Sequence, residues 1–220
     1  MYSREYGGLE LNFEASGGLV DSSLVMQDKE TDSYWSIMKG RSTAGQFSGT
    51  ALVELPVSEK TSWADWVARH PDTKVLSVNG AEHARDSYER YWEDPQGFRG
   101  QSAEDKRLDT KAPIFAFEHG GNRFAVAHAT FEGGYVVELG DGTLLFLYRG
   151  EGAAMFRSTA AFLSRAGFVQ DGGTWTELES GARFDPATAK FIGDVEQLLG
   201  LDTFWYNWSL NNPDTDVLRN

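Results

Sequence analysis

The chain has no cysteine. Disulfide scaffolding, thiolate catalysis and Cys-ligated zinc or iron-sulfur centres are therefore outside the chemistry these residues can perform. Positive charge is also scarce. The balance of 20 Lys+Arg against 33 Asp+Glu gives a formal net charge of -13, a field that repels a phosphate backbone or an anionic membrane surface over about a Debye length. Nucleic acid is not an expected partner. Long apolar runs are missing too: stretches such as Leu144 to Tyr148 fall far short of the roughly 20 residues that span a bilayer, so no membrane insertion is expected. Residues 1–20 carry neither a basic leader nor a continuous apolar segment, so no signal peptide is read there.

What is present is aromatic. With 40% hydrophobic and 13% aromatic residues the chain has ample material for a packed core. Six of the seven tryptophans fall into pairs when residues 24–76 are laid beside residues 168–218: Trp35 with Trp175, Trp63 with Trp205, Trp66 with Trp208. The segment TSWADWVARHPDTKVL (Thr61 to Leu76) aligns without a gap with TFWYNWSLNNPDTDVL (Thr203 to Leu218), which reads as an internal duplication. Two Trp at i and i+3 share one helix face. The helix must end before Pro71 and Pro213, because the residue preceding a proline is pushed out of the α region. Asp72 and Asp214 then favour an Asx-turn, and Val-Leu restarts a strand.

Between Ile114 and Tyr148 the pattern predicts a four-stranded meander, with hairpin turns at Gly120-Gly121 and Gly140-Asp141-Gly142. These strands open the second copy. Met1-Tyr2 aligns with Leu147-Tyr148, so the first copy is expected to lack front strands equivalent to residues 113–146. The predicted fold is mainly β (α+β), with two pseudo-symmetric β-rich repeats, each closed by a Trp-bearing helix and packed as one domain. Residues 1–78 form the first repeat, 79–112 a polar connection with the aromatic cluster YERYWEDPQGF, and 113–220 the second repeat.

The run ASGGLVDSSLVMQDKETDSYWSIMKGRSTAGQFSGTALVELP, the two Trp and Pro-Asp-Thr segments, and DKRL leading into a new strand resemble the domain of unknown function 3179 family. The resemblance covers residues 14–76 and, more loosely, 105–218. It implies no established activity. It also implies a Cys-Pro-x-Cys element ahead of the position of Tyr2, and often export. This chain has no residues matching those cysteines, so chemistry that depends on them does not carry over.

Each candidate site has a structural alternative. Trp35 and Arg41 supply an aromatic and a guanidinium wall for a polar or anionic ligand; Trp175 and Arg183 repeat them, which equally suits a structural cation–π pair. His70 beside Asp72 is a second binding candidate, weakened because Asn212 stands opposite His70 in the other copy. His119 and His128 flank a hairpin turn as two metal ligands would, yet a third ligand is not evident and alternation need not place them on one face. GRSTAG (Gly40 to Gly45) lacks the Gly-x-Ser-x-Gly spacing of a nucleophile elbow. Asp28, Glu30 and Asp32 alternate like calcium-loop acids but lack the Gly and distal Glu of that loop, and read as an exposed turn. No cofactor and no metal site is expected, and no catalytic residue is identified. The reading is a non-catalytic ligand-binding or interaction module for a small-molecule or protein ligand. The alternative is an enzyme or redox/metal protein whose active Cys-containing segment lies outside this chain.

Overall fold

The computed structural model describes residues 1–55, 60–77, 88–150 and 158–219. In chain order, a short hairpin of β1 (Glu5–Tyr6) and β2 (Leu9–Glu10) precedes β3 (Phe13–Val20), β4 (Ser23–Asp28), β5 (Tyr34–Ser36) and β6 (Arg41–Ala44). Helices α1 (Trp63–Arg69) and α2 (Glu89–Glu93) follow, then β7 (Pro113–His119), β8 (Asn122–Ala127), β9 (Tyr135–Glu138) and β10 (Leu144–Tyr148). The remainder is β11 (Ala160–Ser164), β12 (Phe168–Asp171), β13 (Thr174–Glu177), β14 (Arg183–Asp185), β15 (Lys190–Ile192), β16 (Glu196–Gln197), β17 (Leu201–Phe204), α3 (Trp205–Asn211) and β18 (Asp216–Leu218). The protein is mainly β.

Two four-stranded antiparallel meanders, β3-β4-β5-β6 and β12-β13-β14-β15, stand beside two further sheets, ordered β17-β7-β8-β18 and β16-β11-β10-β9. The strands between Ile114 and Tyr148 are thus divided between two sheets and do not form the single meander expected. The reason lies in their side chains. Ile114, Phe115, Ala116 and Phe117 are buried in succession, so β7 has an apolar surface on each face and both must be covered. Phe115, Phe117, Phe124 and Val126 meet Leu145, Leu147, Ala161 and Leu163 between the two sheets. On the outer side, Ile114, Ala116 and Ala125 pack against Trp205, Tyr206 and Trp208 of α3. Alternation turns Phe146 and Phe162 the other way, onto Phe184 and Phe191 of the second meander. Helix, sheet, sheet and meander therefore stack as successive layers, while Tyr6, Leu11 and Trp35 form a separate core under the first meander. The β7–β8 turn at Gly120-Gly121 has φ of +57° and +78°, the pair of left-handed positions that a tight hairpin requires and glycine adopts without strain.

The chain from Tyr88 to Ala112 is tied to α3 at several points, although Tyr88, Trp92 and Phe98 stay exposed. Tyr91 and Tyr206 hydroxyls lie 3.1 Å apart, Trp205 Nε1 donates to the Asp105 carbonyl at 2.8 Å, and Ala103 is buried. Helix α3 begins at Trp205, because residues 201–204 pair with β7 as a strand.

One acid organises the β–β corner of each meander. Asp28 accepts from Thr31 N at 2.6 Å, Thr31 Oγ1 at 2.8 Å and Trp35 Nε1 at 2.8 Å. It is fully buried, and in this respect the expected exposed acidic turn is corrected. Glu177 accepts from Ser180 N at 2.7 Å, Ser180 Oγ at 2.6 Å and Ser164 Oγ at 2.5 Å. Burial alone would push the Glu177 carboxyl up, but the hydroxyls of Ser164 and Ser180 and the amides of Ser180 and Glu179 overcome it and hold it at about 2. A carboxyl depressed in the folded state binds its proton more readily in the unfolded one, so its contribution is present above the ordinary value of 4.5 and lost as pH falls toward 2. Denaturant titrations across that window are expected to show a shallower pH slope for Glu177→Gln than for the parent chain; parallel slopes would refute this assignment.

Candidate functional site

Trp35 and Arg41 sit on neighbouring strands but on opposite faces. In the β5–β6 ladder Trp35 is opposite Ser42 and Ser36 opposite Arg41, and successive residues of a strand point to opposite sides. Trp35 faces inward and is completely buried, ringed by Tyr6 at 4.9 Å, Phe13 at 5.5 Å and Phe47 at 5.8 Å between centroids. Its indole N–H is used by Asp28. Arg41 faces outward, into a cleft of about 210 Å³.

That cleft lies between the first meander and the outer sheet. One wall is Ile37 to Arg41 with Ala51, Leu52 and Glu54; the other is Ala116 to Glu118 with Leu199 to Leu201; Tyr2 and the Trp208 ring complete it. Most of the lining is apolar, with a few polar groups converging on it, the composition expected of a ligand pocket. Arg41 Nη2 stands 3.9 Å from Glu118 Oε1 and both side chains are partly exposed, an ion pair worth about 0–1 kcal/mol. Arg41 Nε donates to the Lys39 carbonyl at 3.2 Å, and the Nη groups keep donors for another acceptor. Glu118 is held more closely by Arg123 Nε at 2.7 Å. Opposite, burial pushes the half-buried Glu54 carboxyl up, with the chain's amino terminus pulling it back. Burial, followed by the charge of Glu54, pushes the Tyr2 phenol up to about 12, so Tyr2 is an O–H donor at neutral pH.

His70 lies elsewhere. It caps α1, its N–H donating to the Trp66 carbonyl at 2.8 Å, and its ring sits 4.3 Å from that of Trp66. The two turn-flanking histidines are separated as well. His119 Nε2 pairs with Asp141 Oδ2 at 3.2 Å at the rim of the sheet, whereas His128 is buried. Ser42 of the GRSTAG segment is also buried, its hydroxyl donating to the Tyr34 carbonyl at 3.0 Å. Glu30 accepts from Asn12 N and Nδ2, each at 2.7 Å, and Asp32 accepts from Gln27 Nε2 at 3.1 Å, so the three alternating acids serve different partners. Trp35 and Trp175 occupy different strands of their meanders, the third and the second; Phe184 holds the third-strand place in the second meander. Among the described residues no group of three or more His, Asp or Glu could hold a metal ion, and no helix is long and apolar enough to cross a membrane.

A buried charge cluster escaped the sequence reading. Asp202 of β17 accepts from His128 Nε2 at 2.8 Å, Arg149 Nη1 at 3.2 Å, Thr159 N at 2.8 Å and Thr159 Oγ1 at 2.5 Å. Three of these donors converge on Oδ1 and the Thr159 amide on Oδ2, so the arrangement pins four chain segments together. Lys60 Nζ closes it from the first half of the chain, donating to the Asp202 carbonyl at 2.9 Å. Burial holds the Lys60 amine below its ordinary range, with Asp202 opposing and Arg149 assisting. The available signal was a single acid inside an otherwise uncharged strand, Leu201-Asp202-Thr203-Phe204.

No curated protein and no solved structure matches the chain. A family model does match, over residues 1–215, and its description is a protein of unknown function (DUF3179). The resemblance of the Trp and Pro-Asp-Thr segments is thereby extended to nearly the whole length, and the chain belongs to this family, to which no activity is attached.

Proposed function

We propose that the chain is a non-catalytic binding module that holds a small anionic ligand in the cleft beside Arg41. The observation that carries this reading is the guanidinium itself: it opens into a mostly apolar cleft and is held by Glu118 only at 3.9 Å, and its planar fork suits a carboxylate or phosphate better than an ammonium would. Tyr2 adds a neutral donor and Trp208 an aromatic wall. His70 is proposed to serve only as a helix cap, and Trp35 only as core beneath the strand that presents Arg41. Nucleic acid is disfavoured by the acidic balance.

The same reading treats residues 1–78 and 113–220 as two pseudo-symmetric copies joined by 79–112, each with a Trp-bearing helix. Support comes from the paired corner acids Asp28 and Glu177, and from the indole N–H of Trp66 donating to Thr73 Oγ1 at 2.9 Å as that of Trp208 does to Thr215 Oγ1 at 2.8 Å.

A thermal-shift screen against small carboxylates, phosphates, sugars and metal ions tests the cleft. An anion present at 100 times its Kd stabilises by about 2.7 kcal/mol, a rise of about 5–10 °C for a domain of this size. Arg41→Ala is expected to remove the rise while leaving the unliganded melting temperature within about 2 °C, since surface substitutions cost little. A flat screen on folded protein, or a response that survives Arg41→Ala, counts against the cleft.

A further inference from the structure

Alternation places Glu118 on the face of β7 that also carries Ile114 and Ala116. Those two pack toward α3, so Glu118 stands on the side of the sheet where Ala116 lines the cleft. Arg41 reaches it from the facing wall, with Nη2 3.9 Å from Oε1. That separation is longer than the roughly 2.7–3.2 Å of an N–H···O hydrogen bond. Each group is tethered by a partner of its own. Arg123 Nε donates to Glu118 Oε1 at 2.7 Å, and Arg41 Nε donates to the Lys39 carbonyl at 3.2 Å. Both guanidiniums address Oε1, and Oε2 has no hydrogen-bond or ion-pair partner among the described residues. A donor fork and a carboxylate acceptor thus stand side by side at the cleft, each incompletely used.

The surrounding charges do not suit a simple anion. Besides Arg41 and Glu118 the lining carries Lys39 and Glu54, two cations against two acids. Lys39 is drawn toward Asp21, Nζ to Oδ2 at 3.7 Å. An anion held on Arg41 would also face the Glu118 carboxylate, 3.9 Å from the guanidinium, and a multiply charged one such as phosphate would meet the stronger repulsion. A molecule with a carboxylate and an ammonium on one carbon turns that repulsion into attraction. Its carboxylate takes the Arg41 Nη donors and its ammonium takes Glu118 Oε2, both as charge-assisted hydrogen bonds. The remaining walls are mostly apolar, with Ile37, Leu52, Leu199 and the Trp208 ring among them. The volume of about 210 Å³ lies below the roughly 300–1,000 Å³ of pockets that hold drug-sized ligands, which limits the occupant to a small metabolite.

We propose that the cleft binds a free amino acid with an apolar side chain, its carboxylate on Arg41, its ammonium on Glu118 and its side chain against Leu199 and Trp208. This occupant rests on the reading of the Arg41 cleft as a binding site and narrows its ligand from small anions at large to zwitterions, with Glu118 as the residue that discriminates between them.

Calorimetric titration of the full chain compares leucine with three probes: 4-methylpentanoate, which lacks the ammonium; 3-methylbutylamine, which lacks the carboxylate; and glycine, which lacks the side chain. Leucine is expected to bind at least tenfold more tightly than each, about what one charge-assisted hydrogen bond contributes. Glu118→Gln, a change at a half-exposed side chain, should weaken leucine at least tenfold and leave 4-methylpentanoate unchanged or tighter, while Arg41→Ala should abolish both. An unliganded melting temperature within about 2 °C of the parent certifies each variant, and the comparison of probes on the parent chain needs no variant. Binding of 4-methylpentanoate or inorganic phosphate as tight as that of leucine, and lost in Arg41→Ala, would overturn the zwitterion and leave the cleft standing as an anion site. Leucine affinity unchanged by Glu118→Gln, or 3-methylbutylamine binding as tightly as leucine, would equally overturn the proposal. Absence of binding by leucine, 4-methylpentanoate and phosphate alike would overturn both readings.

Discussion

Asp202→Ala is expected to lower the unfolding free energy by about 3–5 kcal/mol, the range for removing one member of a buried ion pair. The Asp202 side chain is 6% exposed, that of Arg149 2% and that of His128 9%. With the carboxylate gone, the Arg149 guanidinium stays in the interior and the Thr159 amide loses its acceptor at 2.8 Å, so the loss is chiefly that of stranded donors rather than of one attraction. At roughly 2–4 °C per kcal/mol for a domain of this size the melting temperature should fall by about 10 °C. Replacing Asp202 and Arg149 together by leucine and methionine should restore part of the loss, because burying a matched apolar pair avoids the desolvation of both charges. Equilibrium denaturation of the single and double variants measures both numbers. A single variant within 1 kcal/mol of the parent would show that the cluster is only incidental to stability.

Trp205→Ala and Trp63→Ala occupy the same place in the repeated signature and are expected to differ by several kcal/mol. Trp205 is enclosed by the outer sheet, donates Nε1 to Asp105 at 2.8 Å and lies under the Arg107 guanidinium at 5.6 Å from its ring centroid. Its truncation leaves a cavity and an unpaired carbonyl, a loss of about 3–5 kcal/mol. Trp63 is more than half exposed on a helix with no buried residue, so its loss should cost under about 1 kcal/mol. The comparison is made in one denaturant series, with the m-value as the check that both variants unfold from the same native state. Equal losses would mean that α1 is covered in solution.

Several features were legible because their causes are local. The Gly120-Gly121 turn and the helix ends before Pro71 and Pro213 arise within a few residues of chain, where backbone sterics act directly. The opposite facing of Trp35 and Arg41 is a matter of alternation along adjacent strands, which proximity in sequence does not override. Trp35 and Trp175 lie on the third and the second strand of their meanders, a difference that indole identity in the sequence does not reveal.

Composition and local pattern by themselves determined a β-rich chain without thiol chemistry, acidic overall, with a twice-used helix–turn segment and the residues of its hairpins. Tertiary structure alone decided which of the two Trp-bearing helices is buried, how strands 113–148 divide between two sheets, and that Asp202 gathers His128, Arg149, Thr159 and Lys60 from across the chain. The reason is that burial and charge pairing depend on what another part of the chain brings to the same place. The Trp signature specifies a helix with an apolar face, and only the β7–β8 hairpin, present over α3 and not over α1, determines whether that face becomes core or surface.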